Sequence, residues 1–132
     1  MSIKKEKQLV YEFVANIEAE TLRNRAFRRV LHTGEYAQLV VMSLKPGEEI
    51  GMETHPTVDQ FFRVEAGEGE VTVNGVDYDV KDGDCFIIPA GSEHNVKNES
   101  EDEPLLMYTI YSPPNHAPGV VHETKEQAMM SE

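Results

Sequence analysis

The alternation of apolar and polar residues along the chain predicts a protein made of short β-strands. Strands are predicted at residues 39–44, 60–65 and 105–111, and each ends close to a glycine or a proline, the residues that most often mark turns. Such turn signals recur about every 8–12 residues, a spacing typical of β-sandwiches and β-barrels. The pattern predicts a short helix near the end of the chain, at residues 123–130, and no long amphipathic helix before it.

Two further strands are predicted to form a hairpin around Asn74 and Gly75. Asn-Gly is the strongest short-range signal for a two-residue hairpin, since a type I′ turn needs a positive φ angle at both central residues. In residues 76–80, three apolar residues alternate with two aspartates, which predicts one buried and one solvated face. Residues 85–88 form a continuous apolar run that predicts a buried strand, and Pro89 ends it.

Length and charge bound the class of protein. A chain of 132 residues is long enough for one domain with a real core. Its net charge of -12 repels phosphate backbones and anionic lipid surfaces, so the composition argues against nucleic-acid and membrane binding. The single cysteine, Cys85, allows no internal disulfide, and no apolar run approaches membrane-spanning length. These features predict an acidic, soluble protein of the cytoplasm.

The N-terminal part of the chain is basic, in contrast to the rest. Residues 1–34 carry seven Lys and Arg against four Asp and Glu, and the centre of this patch consists of Arg23, Arg25, Arg28 and Arg29. One interpretation is a solvated surface that offsets the acidic remainder. The other is that one arginine binds a carboxylate or phosphate of a substrate through a bidentate contact. The sequence leaves both interpretations open.

Two segments contain residues spaced like the ligands of a metal site on β-strands. Glu53 and His55 are two positions apart, and residues two apart on a strand point to the same face. Gln60 lies on the next predicted strand, and His94 follows about forty residues after His55. The pattern predicts that these four side chains approach one ion. Asp59, beside Gln60, is expected to point outward and is not counted as a ligand.

The same two segments resemble the paired motifs of the cupin superfamily, small jelly-roll β-barrels that hold a metal ion inside. The first family motif, G-x5-H-x-H-x3–4-E-x6-G, is matched in spacing by Gly47, Glu53, His55, Gln60 and Gly67. The second motif, G-x5-P-x-G-x2-H-x3-N, is matched in spacing and residue type by Gly83, Pro89, Gly91, His94 and Asn98. The resemblance covers about residues 35–115 and implies an all-β, jelly-roll cupin fold.

The resemblance also implies a set of metal ligands, from which this chain departs. Cupin sites commonly offer three imidazoles and one carboxylate, whereas this chain offers Glu53, His55, Gln60 and His94. Glu53 and the two histidines alone form a two-histidine, one-carboxylate set, the pattern of non-haem iron oxygenases. Gln60 is then a weak fourth ligand or a hydrogen-bonding group beside the ligands. The alternative is a cupin-like barrel that has lost its metal.

These residues predict a single cupin domain, residues 1–132, that binds a divalent transition metal ion (Fe, Mn, Ni or Zn). Its core is expected at about residues 20–115, with an N-terminal strand extension and a short C-terminal tail. The predicted function is that of a metal-dependent enzyme acting on a small molecule, of the dioxygenase, isomerase or lyase type. Single-domain cupins of this kind are often described as sugar-phosphate-isomerase-like, which is an analogy of fold. The alternative function is a non-catalytic module that binds a small ligand.

Several other side chains are candidates for the mouth of the barrel. His116 follows the last long predicted strand in a proline-rich segment, where it is in a position to act as an acid or base. Tyr108 and Tyr111 are three positions apart, so their side chains point to opposite faces of the predicted strand. One of them can therefore reach the pocket, and the sequence does not say which. His32 and His122 are predicted at the surface.

A homodimer is predicted from two features. If Gln60 and Phe62 point inward, Phe61 points outward, and an apolar side chain on the outer face of a sheet favours contact with a second subunit. A strand near residues 9–17 is expected to extend the partner's sheet, because an exposed sheet edge offers unpaired backbone donors and acceptors.

Overall fold

The computed structural model describes residues 11–131, in which two antiparallel β-sheets enclose one hydrophobic core. In chain order the strands of this part are β1 (Arg28–Thr33), β2 (Gln38–Leu44), β3 (Glu53–Thr54), β4 (Asp59–Ala66), β5 (Glu68–Val73), β6 (Val76–Lys81), β7 (Cys85–Ile88), β8 (Glu93–Asn98), β9 (Leu105–Ser112) and β10 (Val121–His122). The first sheet has the order β10-β1-β2-β9-β4-β7, and the second has the order β3-β8-β5-β6. The prediction of an all-β jelly-roll fold is confirmed.

Strand β4 shows how the sequence alternation places side chains between the sheets. Gln60 and Phe62 are buried, whereas Asp59 is exposed and Phe61 is half-buried on the outer face. Phe62 stacks on Phe86 of the neighbouring strand β7, with ring centroids 4.7 Å apart. The predictions that Gln60 and Phe62 share the inner face, and that Asp59 points away from them, are confirmed.

Two short helices, α1 (Ile17–Arg23) and α2 (Lys125–Met130), accompany the sheets within residues 11–131. Each begins at a polar cap, because the side chains of Asn16 and Thr124 accept hydrogen bonds from backbone N–H groups of the first turn. Helix α2 confirms the helix predicted near the end of the chain, and α1 packs against β2, β4 and β9. Neither helix is long and apolar enough to cross a membrane.

The strand predicted near residues 9–17 does not form where the structure describes this segment. Residues 9 and 10 lie outside the described residues, residues 11–16 contain neither helix nor strand, and Ile17 begins helix α1. The Asn16 cap and the acidic Glu18 and Glu20 in the first turn stabilise a helix start at this point. Helix capping thus fixes the start of α1 at Ile17, and the pairing of the preceding residues with a second copy stays a prediction.

The hairpin at Asn74 and Gly75 is confirmed, but the burial predicted for its second strand is wrong. Asn74 has a φ angle of 48° and Gly75 one of 83°, as a type I′ turn requires. Of the apolar residues on β6, Val80 is buried, whereas Val76 and Tyr78 are 51% and 53% exposed. The reason is topological, since β6 is an edge strand of the second sheet and has a neighbour on one side only.

Strand β7, predicted as fully buried, is also an edge strand and is buried at one residue. Ile88 is 2% exposed, whereas Ile87 is 64% exposed and Cys85 lies at the surface. Between the edges β6 and β7 lies a cavity of about 480 Å³. Its lining includes Val71, Val73, Tyr78, Val80, Phe86 and Ile87. The gap between the two sheet edges thus forms a cavity with apolar walls that Asp79, Asp84 and Cys85 also line.

Asn98, the last residue of the second motif, fastens the loop between β8 and β9. Its buried amide nitrogen donates hydrogen bonds to the backbone carbonyls of Leu44 and Glu103, at 3.0 and 2.9 Å. Its side-chain oxygen accepts a hydrogen bond from the backbone N–H of Ser100 at 2.8 Å. The predicted role of Asn98 in holding a loop is borne out by these contacts.

Replacing Asn98 with alanine is expected to lower the free energy of unfolding by about 2–4 kcal/mol. Each buried backbone group left without a partner costs about 1–3 kcal/mol, and Ser100 is half-buried, so its N–H can partly find water. The matched control is Asn95→Ala, because the half-buried Asn95 side chain bonds a single backbone group, the N–H of Gly51. Urea unfolding midpoints measure both losses. Equal losses for the two variants would contradict the role assigned to Asn98.

Candidate metal centre

Three potential ligands from the two motifs meet at one point between the sheets. Glu53, His55 and His94 each offer one donor atom, and these atoms all lie within 4.8 Å of one another. Glu53 Oε1 is 3.3 Å from His55 Nε2 and 3.7 Å from His94 Nε2. The geometry follows from the strands, since Glu53 of β3 pairs directly with His94 of β8 and His55 follows two positions after Glu53. One ion can contact all three groups.

The His94 ring is held in an orientation that suits a metal ligand. His94 is 1% exposed, and its Nδ1 lies 3.0 Å from the backbone carbonyl oxygen of Ser92. A carbonyl only accepts hydrogen bonds, so Nδ1 carries a proton, and in the neutral ring Nε2 presents a lone pair. Nε2 is buried and has no hydrogen-bond partner among residues 11–131. A metal ion at this place would satisfy the buried nitrogen, and the backbone carbonyl would fix the ring.

Gln60 shows a similar pattern of one satisfied and one unsatisfied polar atom. Its Nε2 donates a hydrogen bond to Thr109 Oγ1 at 3.0 Å, which fixes the amide against the neighbouring strand β9. Its Oε1 is buried and has no partner within the described part of the chain. An amide oxygen is a weak ligand for transition metals, so Gln60 fits either a fourth ligand or a group that hydrogen-bonds a metal-bound molecule.

Glu53 is the carboxylate of this cluster. Burial alone raises its pKa, but the hydrogen bond with His55 and the charges of His55, His94 and Arg28 outweigh burial, and the pKa is lowered. Glu53 is therefore anionic at neutral pH. Two imidazoles and one carboxylate form a donor set suited to divalent transition metals, with positions left open for a further ligand.

Arg28 stands apart from the other arginines of the N-terminal basic patch. It is 5% exposed and lies on β1, where Val30 of the same face is also buried. Its Nη1 is 3.3 Å from His122 Nδ1, whereas its Nε is buried without a hydrogen-bond partner in the described residues. By contrast, the exposed Arg23 forms an ion pair with Glu20 on helix α1. The interpretation of the patch as a solvated surface therefore fails at Arg28.

Tyr111 and His116 form a hydrogen-bonded pair beside the metal ligands. The Tyr111 ring meets the His55 ring edge to face at a centroid distance of 5.8 Å, and its hydroxyl oxygen is 3.2 Å from His116 Nε2. Burial raises the pKa of Tyr111 to about 12. Burial, together with the charge of Arg28, lowers the pKa of His116 to about 4. At neutral pH the hydroxyl is protonated and the imidazole is uncharged.

The choice between the two tyrosines is thereby settled. Tyr111 is 1% exposed and points inward, whereas Tyr108 lies half-buried on the outer face with its ring 6.0 Å from that of Phe61. His116 lies near the site, as proposed for the barrel mouth. Its position depends on Gln38, a buried residue that the sequence reasoning missed. The Gln38 amide accepts from the backbone N–H of His116 at 2.9 Å and donates to its carbonyl at 2.7 Å.

The remaining histidines are less exposed than the sequence predicts. His32 belongs to strand β1, and its ring stacks on Phe13 at 5.3 Å and meets the edge of Tyr11 at 4.9 Å. His122 lies half-buried on β10, beside Arg28. Both residues are shielded because β10 and β1 pair and residues 11–13 lie over β1.

One residue that lines the cavity between β6 and β7 pairs with a candidate metal ligand. Val73, which lines the cavity, pairs directly with His94 on the neighbouring strand β8. Side chains of directly paired residues lie on the same face of a sheet, so the cavity wall continues into the wall that carries His94.

Comparison with known proteins identifies the family. The family model of the cupin domain matches residues 40–111. The crystal structure of BH2720 from Bacillus halodurans has a TM-score of 0.88 and 50% identity, covering 91% of this chain and 95% of that chain. The uncharacterized protein YrkC of Bacillus subtilis (strain 168) is 45% identical over 126 residues, which is 91% of this chain and 67% of that protein. The quercetin 2,3-dioxygenase of the same organism is 27% identical over 96 residues, 73% of this chain and 28% of that protein.

These matches agree with the fold and with the motif residues. The matched range contains Glu53, His55, Gln60 and His94, and the structural match extends over both sheets. The resemblance inferred from the two sequence motifs is confirmed, and the chain belongs to the cupin domain family.

Proposed function

We propose that this protein is a metal-dependent enzyme that acts on a small molecule. Glu53, His55 and His94 would hold a divalent transition metal ion (Fe, Mn, Ni or Zn), with Gln60 beside them. The observation that carries the proposal is the convergence of three donor atoms within 4.8 Å, one of them the buried and unpaired Nε2 of His94. An unpaired polar atom in a protein interior costs free energy, and a bound ion would remove that cost.

The donor set and its surroundings favour the dioxygenase type among the predicted reactions. An ion held by two histidines and one carboxylate supplies open positions at which a small molecule is bound and polarised. Glu53 would leave a divalent ion with a formal charge of about +1, which favours an anionic ligand. The Tyr111 hydroxyl and His116 Nε2, 3.2 Å apart, can hold or pass a proton at the edge of the site. The likeness to a quercetin 2,3-dioxygenase supports this type, while isomerase and lyase reactions remain alternatives.

Assembly and location belong to the same proposal. Phe61 is half-buried on the outer face of the sheet, next to Tyr108. The part of these two rings that stays exposed forms an apolar surface on which a second copy can pack. A homodimer and a place in the cytoplasm both stay predictions from the sequence, as does the extent of the single domain over residues 1–132.

Replacing Gln60 with glutamate is expected to tighten metal binding by about tenfold or more, because a second carboxylate adds negative charge next to the ion. Parent and variant are purified without added metal. Elemental analysis then gives the metal content of each, and titration with a chelator gives the relative affinity. The parent should retain one metal ion per chain, and the variant should retain it at higher chelator concentrations.

The control for this experiment is His116→Gln, which should keep the metal content of the parent, since His116 contacts Tyr111 rather than the three ligands. If neither the parent nor Gln60→Glu takes up a transition metal, the metal-dependent enzyme is the wrong function. The non-catalytic module that binds a small ligand is then the better description.

A further inference from the structure

We propose that the small molecule bound by this site carries a carboxylate group and that the guanidinium of Arg28 binds it. The inference deepens the proposed function and rests on it, because the carboxylate is placed beside the metal centre. It makes Arg28 a binding residue for substrate and gives the substrate a chemical class.

The first support is that Arg28 is a buried cation without a carboxylate partner. It is 5% exposed, and no carboxylate of residues 11–131 lies within ion-pair distance of it. Its Nη1 contacts His122 and its guanidinium carbon lies 5.2 Å from the centroid of the Phe27 ring, but its Nε is buried and has no hydrogen-bond partner in the described part of the chain. Burying an arginine that serves only the fold is costly unless a carboxylate compensates it. The unsatisfied Nε edge is therefore explained by an anion that arrives from solution.

The second support is that Arg28 acts on the same space as the metal ligands. Its guanidinium is a side-chain hydrogen-bonding partner of Tyr111, and the Tyr111 ring meets the His55 ring edge to face at a centroid distance of 5.8 Å. Arg28 reaches this space from β1 of the first sheet, while Glu53 comes from β3 of the second. A ligand between the sheets can therefore contact the guanidinium on one side and the metal centre on the other.

The third support is the charge balance of the site. Glu53 is the carboxylate of the cluster, and Arg28, which lies outside ion-pair distance of it, balances its charge formally. A divalent ion would raise the formal charge to about +2, whereas the whole chain has a net charge of -12. Such a local excess of positive charge in an acidic protein selects an anion at this place.

A carboxylate fits the available donors better than a phosphate does. The planar guanidinium matches the two oxygens of a carboxylate through parallel N–H···O hydrogen bonds. Tyr111 can add one neutral hydroxyl donor, and Arg28 is the cation that the structure brings to this space. A phosphate dianion is usually bound by several cations or by backbone N–H groups at a helix start.

The test measures binding of simple carboxylates rather than turnover. Benzoate, pyruvate and acetate are titrated against the parent protein in a calorimeter, and inorganic phosphate is titrated in parallel. The variants are Arg28→Met and Arg28→Lys. Methionine keeps about the length of the side chain and removes the charge, whereas lysine keeps the charge and removes the planar guanidinium that can donate two parallel hydrogen bonds. Arg29→Met is the matched control, because Arg29 lies next to Arg28 and is half-buried on the other face of β1. Metal content and melting temperature are recorded for every sample.

The parent and Arg29→Met should bind at least one of the carboxylates, and Arg28→Met should bind it at least tenfold more weakly. Arg28→Lys should fall between them, and it keeps the test valid if Arg28→Met does not fold. All four proteins should contain the same amount of metal. A parent protein without metal would refute the proposed function, and this outcome is distinct from a failure of the Arg28 assignment. Equal carboxylate affinity in the parent and both Arg28 variants, no carboxylate binding by the parent, or tighter binding of phosphate would overturn the assignment of Arg28.

Discussion

Replacing Glu53 with glutamine is expected to remove most of the bound metal, with an affinity at least tenfold lower than that of the parent. Glu53 would supply the negative charge of the cluster, and glutamine keeps its shape while offering a neutral oxygen. Even residues that only orient metal ligands contribute tenfold or more to metal affinity, so loss of a charged ligand should cost at least as much. The Glu53 side chain is 31% exposed, so the substitution leaves packing intact.

The matched control for this substitution is Glu93→Gln. Glu93 is exposed, lies on β8 next to His94, and pairs with Thr54. Its replacement by glutamine therefore makes the same change of charge one position away from a candidate ligand. Both variants and the parent are purified identically without added metal and compared by elemental analysis. Glu93→Gln should match the parent. If Glu53→Gln holds as much metal as the parent, Glu53 is not a ligand, and the module that binds a small ligand without catalysis becomes the better description.

The convergence of the candidate ligands could be predicted because it depends on a short-range rule. On a strand the side chains of residues two apart share a face, so the spacing of Glu53 and His55 already places both on one side. The same rule separates Gln60 from Asp59, and burial agrees with it, since Gln60 is 1% exposed and Asp59 is at the surface. The approach of His94 from a distant strand follows from no short-range rule, and its prediction depended on reading the two motif segments together.

The burial of Arg28 could not be predicted from charge alone, because four arginines lie close together in the sequence. The sequence signal was the alternation of side chains along the strand. Val30 lies two positions after Arg28, so the two share a face, and in the structure both are buried. The exposure of Tyr78 and Ile87 was missed for a different reason. Both residues have strand-like patterns, but their burial depends on whether the strand has a neighbour on each side, and that is a property of the sheet order.

The second large effect is expected at Gly67, the last glycine of the first motif, where alanine should lower the free energy of unfolding by about 2–5 kcal/mol. Gly67 has a φ angle of +96°, which an L-residue adopts at a cost of about 1–2 kcal/mol. A Cβ atom at this position would also lie 2.5 Å from the carbonyl oxygen of Pro104 and 3.0 Å from Leu105 Cα. Backbone atoms have to move to relieve such contacts, which adds about 1–3 kcal/mol.

The control for Gly67→Ala is Gly83→Ala, because the two glycines share the backbone strain and differ in their surroundings. Gly83 has a φ angle of +93°, and a Cβ atom there would have no neighbour within 4 Å. The difference between the two urea midpoints therefore isolates the close approach of β4 to the segment before β9. Gly67→Ala should be the less stable variant by about 1 kcal/mol or more, and both variants should keep the metal content of the parent, because neither glycine touches the ligands. Equal stability of the two variants would mean that Gly67 is required for its φ angle alone.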